Sequence, residues 1–252
     1  MKLILEFLTK NSLPTGILYV GAVYLLAKGA AKHLLKQPAC GSAMAVLSGL
    51  LLSLFCGMAT HKASGIADLA VFSGVGVLGC ATLRDISVVA VSYGSDIRAI
   101  MKYKWAGLAA LSGGVCLSFV SALLLALGFG IRDPRELTVI ASGAVTFIVG
   151  PVTASALGVT SGAVALSIAI GVLKSIAIML LTPWAARAIG LKTPKSAMIY
   201  GALLGSTSGV SAGLAAVDPD LVPYGAMMAS FYMGLGCLLC PTLFYSLVCC
   251  IV

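Results

Sequence analysis

The sequence predicts an all-α, polytopic integral membrane protein with discontinuous or re-entrant helices, broken where Gly, Pro, Ser and Thr cluster. Hydrophobic residues make up 60% of the 252-residue chain, against about 45–50% in soluble domains. Apolar runs of about 20 residues, enough to cross roughly 30 Å of hydrocarbon as a helix, recur along the chain. A transmembrane β-barrel is excluded because these runs lack a strict alternation of apolar and polar residues.

The distribution of charge indicates a membrane rather than a nucleic-acid partner. The formal net charge is +8. Nine of the 16 basic residues form three groups, at 28–36, 98–104 and 187–195, and each group lies beside a hydrophobic run. Cytoplasmic loops of membrane proteins collect Lys and Arg in this way. The charge therefore predicts orientation in the bilayer, and no nucleic acid is expected as a partner.

The apolar runs assign the elements in order. Residues 1–12 predict an interfacial helix, because their apolar stretch is too short for a signal peptide. Residues 13–252 are expected to form the membrane helices of a single transmembrane domain. Helices are predicted at residues 14–32, 40–58, 105–130, 160–182 and 221–251. Polar or glycine-rich stretches interrupt three further segments, at residues 63–93, 137–158 and 197–216.

The three basic groups also predict the course of residues 137–158. The positive-inside rule places these groups on one side of the bilayer. A complete crossing by residues 137–158 would put the group at 187–195 on the other side. We therefore expect a re-entrant hairpin here, broken at Gly150-Pro151. The acidic turn that contains Asp218 and Asp220 then lies outside.

The interrupted segments carry the candidate binding residues. An unwound helix exposes N–H groups that attract anions, and carbonyls that, with hydroxyls, suit a hard cation such as Na⁺. The breaks lie around residues 74–85, 146–153 and 205–213. The candidate substrate ligands at the last two breaks are Gly150, Pro151, Val152, Thr153, Ser206, Thr207, Ser208 and Gly209. The candidate Na⁺ ligands are Thr146, Gly205, Thr207 and Asp85.

Arg84 and Lys174 are the cationic residues that we place within membrane segments. A charge at the centre of a bilayer costs at least ~2.5–3.5 kcal/mol on insertion scales, so each requires a partner or a cavity. Both are therefore candidate substrate-binding residues. An alternative stays open for each: Arg84 pairs locally or with Asp85, and Lys174 snorkels towards the membrane surface.

Packing is the competing interpretation of the interrupted segments. Glycines four residues apart let helices approach closely, and Gly201, Gly205, Gly209 and Gly213 have this spacing. Pro151 alone accounts for a simple kink. The consecutive hydroxyls of residues 206–208 fit packing less well, because they point in three directions and at least one must face a polar group.

The sequence has no recognisable enzyme site. "GVGVLG" at residues 74–79 matches a dinucleotide-binding fingerprint by letter, but the strand and the βαβ unit that the fingerprint requires are missing. Cys237 and Cys240 have the spacing of a redox pair without its structural context. We expect no enzymatic activity and no cofactor, with Na⁺ serving only as a coupling ion.

Four long stretches carry a resemblance to a known family: "HKASGIADLAVFSGVGVLGCATLRD", "GAVTFIVGPVTASALG", "ALSIAIGVLKSIAIMLLTP" and "TSGVSAGLAAVDPDLVPYGAMMASFYMGLGCLLCPTLFY". They closely resemble the MadM subunit of bacterial malonate:sodium symporters, from about residue 40 to 245. The resemblance implies a transporter of the bacterial cytoplasmic (inner) membrane that takes up malonate with Na⁺ and works with a smaller membrane subunit, MadL. It assigns no role to any residue, so the candidate sites rest on the physical argument.

Together these observations predict one subunit of a sodium-coupled secondary transporter for a small dicarboxylate. The stretch "GSTSG" is expected to form one half of its site, facing residues 150–153. Two alternatives stay open: a structural subunit whose partner forms the pathway, and an exporter or channel-like protein for another small solute. A higher oligomer is also left open.

Overall fold

The computed structural model describes residues 2–34, 41–61, 69–78, 86, 90, 93, 96–159 and 162–252. The chain divides into two compact units, Met1–Ala90 and Val91–Val252. Every regular element among the described residues is helical, which confirms the all-α prediction. The candidates Arg84 and Asp85 lie outside the described residues, as does most of the interrupted segment at 63–93.

The first unit is built on two long apolar helices that pack against each other. The backbone at Gly74 approaches that of Ser12 so closely that a Cβ on the glycine would overlap it. The rings of Tyr19 and Phe72 pack nearby, with 4.8 Å between their centroids. The elements are α1 (Lys2–Lys10), α2 (Ser12–Leu34), α3 (Gly41–Thr60), a 3₁₀ turn (Ala70–Phe72) and α4 (Ser73–Leu78).

The second unit contains the candidate site. Its helices are α5 (Ile97–Lys102), α6 (Lys104–Gly128), α7 (Pro134–Val145), α8 (Val149–Leu157), α9 (Gly162–Ala185), α10 (Pro194–Leu204), α11 (Thr207–Ala215), α12 (Val222–Leu239) and α13 (Tyr245–Ile251). A π-helical turn (Cys240–Phe244) joins the last two into one helical stretch. These bounds match the predicted helices within a few residues, and the segments predicted to be interrupted form the pairs α7–α8 and α10–α11.

Four helical stretches in the described part of the chain are long and apolar enough to cross a membrane: Ser12–His33, Lys104–Gly128, Gly162–Ala185 and Pro219–Ile251. Large apolar side chains cover their outer faces; Leu117 is 72% exposed and Leu173 is 66% exposed. An extended apolar surface of this kind is typical of contact with lipid or with another chain. The chain is a multi-pass membrane protein.

Local capping signals determine where two of the short helices begin. The Asp133 carboxylate accepts hydrogen bonds from the backbone N–H groups of Arg135 and Glu136, and proline in the first turn is already constrained to helical φ. Thr193 forms a capping box with Ser196 at the start of α10. Each cap satisfies N–H groups that have no partner within the helix.

Helix α9 packs against both interrupted segments through a row of small residues. A Cβ added at Gly143 in α7 would overlap the backbone of Ser167, and one added at Gly171 would overlap the backbone of Phe147. On the other side, a Cβ added at Gly213 in α11 would overlap Thr182. Small residues at such contacts let helix backbones approach closely. Helix α9 therefore positions both breaks.

Candidate functional site

The first break is a helical hairpin formed by α7 and α8. Helix α7 ends at Val145 and α8 begins at Val149, and the two helices pack against each other. A Cβ added at Gly150 would lie 3.5 Å from the Cα of Gly143. Neither helix is long enough to cross a bilayer. The hairpin agrees with the re-entrant prediction, whereas its depth and orientation in the membrane stay predictions.

The position predicted for this break, Gly150-Pro151, is wrong. The chain turns at residues 146–148, and Pro151 lies in the first turn of α8. Proline is tolerated there because the first N–H groups of a helix have no internal partner. Thr146 closes the turn between the two helices, since its Oγ1 accepts from the backbone N–H groups of Ile148, at 3.3 Å, and Val149, at 3.4 Å.

The second break lies at Gly205 and Ser206, within the predicted range. Gly205 ends α10 with a φ of +69°, a left-handed conformation that favours glycine. A Cβ at this position would also overlap the ring of Tyr232. Ser206 caps α11, and its Oγ accepts from the backbone N–H of Gly209 at 3.2 Å. Two independent requirements therefore make glycine necessary at position 205.

The four glycines around this break pack closely, but they do not form one continuous face. Gly201 and Gly205 pack against α12, whereas Gly209 and Gly213 pack against α9. The break lies between the two pairs. The packing interpretation therefore explains the close contacts of all four glycines. It does not explain the helix break at Gly205, which occurs within the same stretch.

Ser206 is connected to α9 by a short chain of hydrogen bonds. Its Oγ lies 2.6 Å from the Oγ of Ser175, and Ser175 donates in turn to the carbonyl of Gly171 at 2.9 Å. Ser206 and Ser175 are both buried. The Ser206 hydroxyl therefore donates its one hydrogen to Ser175 and accepts from the N–H of Gly209. By contrast, no described residue forms a hydrogen bond with the half-buried Thr207 side chain or the exposed Ser208 side chain.

Lys174 lies near the middle of α9 and reaches the first break. Its Nζ donates to the carbonyls of Ala144, at 2.8 Å, and Val145, at 3.2 Å, and to the Oγ of Ser118 at 3.1 Å. No carboxylate in the described residues pairs with it. The carbonyls belong to the C-terminal end of α7, where the helix dipole is negative. The side chain thus turns into the protein and does not snorkel to the surface.

The ring of Tyr232 contacts both Lys174 and the second break. The Nζ of Lys174 lies 5.2 Å from its centroid, within the range of a cation–π interaction, and Gly205 packs against the same ring. The buried hydroxyl lies 3.0 Å from the carbonyl of Gly114 and 2.8 Å from the Oγ of Ser118. Sequence reasoning missed Ser118 and Tyr232, because a single hydroxyl in an apolar helix carries no local signal.

The remaining candidates near the first break point in different directions. Val152 is 41% exposed, whereas Thr153 is fully buried and its Oγ1 has no hydrogen-bond partner among the described residues. The backbone at Gly150 packs against the side chain of Ser167. In the described structure no hydrogen bond joins residues 150–153 to residues 206–209. Helix α9 and Tyr232 connect the two breaks.

The long apolar helices and the two broken helix pairs define a multi-pass helical membrane protein with discontinuous helices, an architecture that transporters use to bind ions and small solutes. The chain belongs to the MadM family: residues 4–252 match the family model described as "Malonate/sodium symporter MadM subunit". A search of curated proteins gave no match, and a search of solved structures gave none either. The family is one of transporter subunits, which implies a partner subunit.

Proposed function

We propose that this chain binds malonate and Na⁺ and carries them together across the bacterial cytoplasmic membrane, in a complex with the smaller subunit MadL. The family to which it belongs supports the substrate and the coupling ion. The structural observation that carries the proposal is the convergence of two helix breaks on the adjacent residues Lys174 and Ser175. Helix breaks of this kind bind substrates and ions at membrane depth.

A small dicarboxylate suits the groups that the two breaks expose. Malonate carries two negative charges, and the Lys174 ammonium supplies a positive charge without a carboxylate partner in the described residues. The N-termini of α8 and α11 add N–H groups and the positive ends of two helix dipoles. The hydroxyls of Thr153 and Thr207 have bonding capacity to spare. These groups form the substrate half of the proposed site.

The coupling ion requires oxygen ligands, and the breaks supply these as well. The last carbonyls of α10 have no partner within the helix, and the Thr207 hydroxyl, which forms no hydrogen bond with a described residue, follows them in the chain. The Thr146 hydroxyl stays a candidate at the other break, where it already accepts two backbone N–H groups. A bound Na⁺ lowers the electrostatic cost of bringing a dianion into a low-dielectric interior, and the anion does the same for Na⁺. Mutual stabilisation of this type provides a physical basis for symport.

Reconstitution tests the proposal directly. Purified complex in proteoliposomes should accumulate labelled malonate when an inward Na⁺ gradient is imposed, and should not when K⁺ replaces Na⁺. Binding of labelled malonate to this chain purified alone would place the site in this subunit rather than in its partner. Accumulation independent of Na⁺ would contradict the symport mechanism, and malonate binding by the partner alone would make this chain a scaffold.

A further inference from the structure

We infer that the Lys174 ammonium occupies a cation-binding site, formed by the carbonyl oxygens of Ala144 and Val145 and the hydroxyl of Ser118. We further infer that Na⁺ takes this site when Lys174 turns to a substrate carboxylate. The inference rests on the proposed function and gives it a second ion site, separate from the candidate ligands Gly205 and Thr207. In the observed arrangement the lysine is thus a tethered substitute for Na⁺.

The chemistry of the site matches a cation in charge and in ligand type. Helix α7 ends at Val145, so its last carbonyls have no intrahelical partner and lie at the negative end of the helix dipole. Lys174 bonds two of these carbonyls and Ser118, at distances between 2.8 and 3.2 Å. Carbonyls at half-helix C-termini, joined by a hydroxyl, are the ligands that coupling ions use in transporters.

The aromatic ring beside the site also favours a cation over an uncharged group. The centroid of Tyr232 lies 5.2 Å from the Lys174 Nζ, and the negative face of an aromatic ring attracts positive charge. The Tyr232 hydroxyl lies 2.8 Å from the Oγ of Ser118. Ser118 is therefore both a ligand of the cation and the group that connects the site to the ring.

An exchange between Lys174 and Na⁺ follows from the charge of the site. The ammonium is held by neutral oxygens, and in the described residues no carboxylate neutralises it, so an entering dicarboxylate competes for it with a full negative charge. A charge-assisted pair with a carboxylate is stronger than a bond to a neutral carbonyl. Once Lys174 moves, the carbonyls of Ala144 and Val145 lose their donor within an apolar interior, and Na⁺ replaces it. The substrate thereby creates the ion site.

Removing the tethered cation tests this exchange. Lys174→Met keeps most of the side-chain length and deletes the charge, so the carbonyls stay open to Na⁺ at all times. In the purified complex with its partner subunit and without malonate, the variant should bind at least one more ²²Na⁺ per chain than wild type. Malonate binding should fall about tenfold or more, because the variant lacks the ammonium that pairs with the carboxylate.

Ser118→Ala identifies the ligands of the extra ion. Combined with Lys174→Met, it should weaken ²²Na⁺ binding about fivefold or more, the effect of losing one ligating group. Its matched control is Ser112→Ala on the same helix, where an exposed hydroxyl bonds only the carbonyl of Leu108. That control should leave ²²Na⁺ binding unchanged. Tyr232 keeps a partner in both variants, since the Gly114 carbonyl lies 3.0 Å from its hydroxyl.

The outcomes separate this inference from the proposed function. If wild type shows no Na⁺-dependent malonate uptake, the proposed function is wrong. If wild type shows it but Lys174→Met binds no additional ²²Na⁺, Lys174 only caps α7 and the exchange is wrong. If Lys174→Met does not assemble, Ser118→Ala alone decides the question. It should raise the Na⁺ concentration for half-maximal malonate uptake severalfold, and an unchanged value would overturn the inference.

Discussion

The hydroxyl oxygens of Ser175 and Ser206 lie 2.6 Å apart and join the middle of α9 to the break between α10 and α11. Ser206 also accepts from the N–H of Gly209, and Ser175 donates to the carbonyl of Gly171. Each of the two hydroxyls thus donates one hydrogen bond and accepts one inside the protein. Of the three consecutive hydroxyls at this break, the buried one holds the helices together and the other two have capacity for a ligand.

This difference predicts opposite effects for neighbouring substitutions. Ser206→Ala removes a helix cap and a buried hydrogen bond, so it should lower the free energy of unfolding by about 1–2 kcal/mol. It should leave the Na⁺ dependence of malonate uptake nearly unchanged. Thr207→Val keeps its shape and deletes a free hydroxyl, so it should raise the half-saturating Na⁺ concentration about fivefold or more if that hydroxyl ligates the ion.

Thermal unfolding of the purified complex and Na⁺ titrations of uptake measure the two effects. Ser208→Ala tests the third hydroxyl of the break in the same way, because this exposed hydroxyl forms no hydrogen bond with a described residue. Unchanged half-saturation by Na⁺ and malonate in Thr207→Val and Ser208→Ala would leave these hydroxyls without a transport role.

Gly205→Ala should destabilise the break between α10 and α11. Its φ of +69° disfavours a side chain, and the added methyl would overlap the ring of Tyr232. The backbone strain alone costs of order 1–3 kcal/mol, so the variant should show a lower melting temperature and a reduced yield of assembled complex. Gly113→Ala is the control, because nothing lies within 4 Å of its added Cβ. Equal melting temperatures for the two variants would contradict the geometry of the break.

Thr153→Val should separate substrate binding from stability. The buried Thr153 hydroxyl has no partner among the described residues, and an unpaired buried polar group is unfavourable. The variant should therefore be as stable as wild type or slightly more stable without substrate. It should bind malonate more weakly, by about fivefold or more if the hydroxyl donates to a carboxylate.

Thr138→Val is the comparison, because the buried Thr138 hydroxyl already donates to the carbonyl of Pro134 at 2.7 Å. That variant should lose about 1 kcal/mol of stability and retain malonate affinity. Unaltered malonate affinity in Thr153→Val would remove Thr153 from the proposed site.

The hairpin formed by α7 and α8 predicts a cytoplasmic location for the loop between α9 and α10. A single cysteine in place of Lys192, in a protein without other cysteines, should resist membrane-impermeant thiol reagents in intact cells. It should react once the membrane is opened, because a re-entrant hairpin keeps the three basic groups on one side. Labelling from outside intact cells would show that residues 137–158 cross the membrane.

Local signals allowed much of the fold to be predicted from the sequence. Long apolar runs predict membrane helices because hydrocarbon leaves backbone groups no partner outside the helix. The break at Gly205 could be located in the same way, because glycine ends helices and Ser206 is a favourable N-cap. Such signals depend on only a few neighbouring residues. In the described structure Gly205 ends one helix and Ser206 caps the next, as these signals predict. Lys174 could be singled out because a charge in an apolar run requires a partner.

The sequence by itself thus determined an all-α membrane protein, the approximate position of both described breaks, and the presence of an unusual intramembrane cation. Only the tertiary structure decided that the first chain turn precedes Gly150-Pro151, where the close packing of Phe147 on Gly171 holds it. It also decided the partners of Lys174. Ser118 lies 56 positions away in the chain, and the helices that bring Ser118 and Tyr232 to the lysine are joined by packing. Packing between distant segments leaves no periodic or local pattern in the sequence.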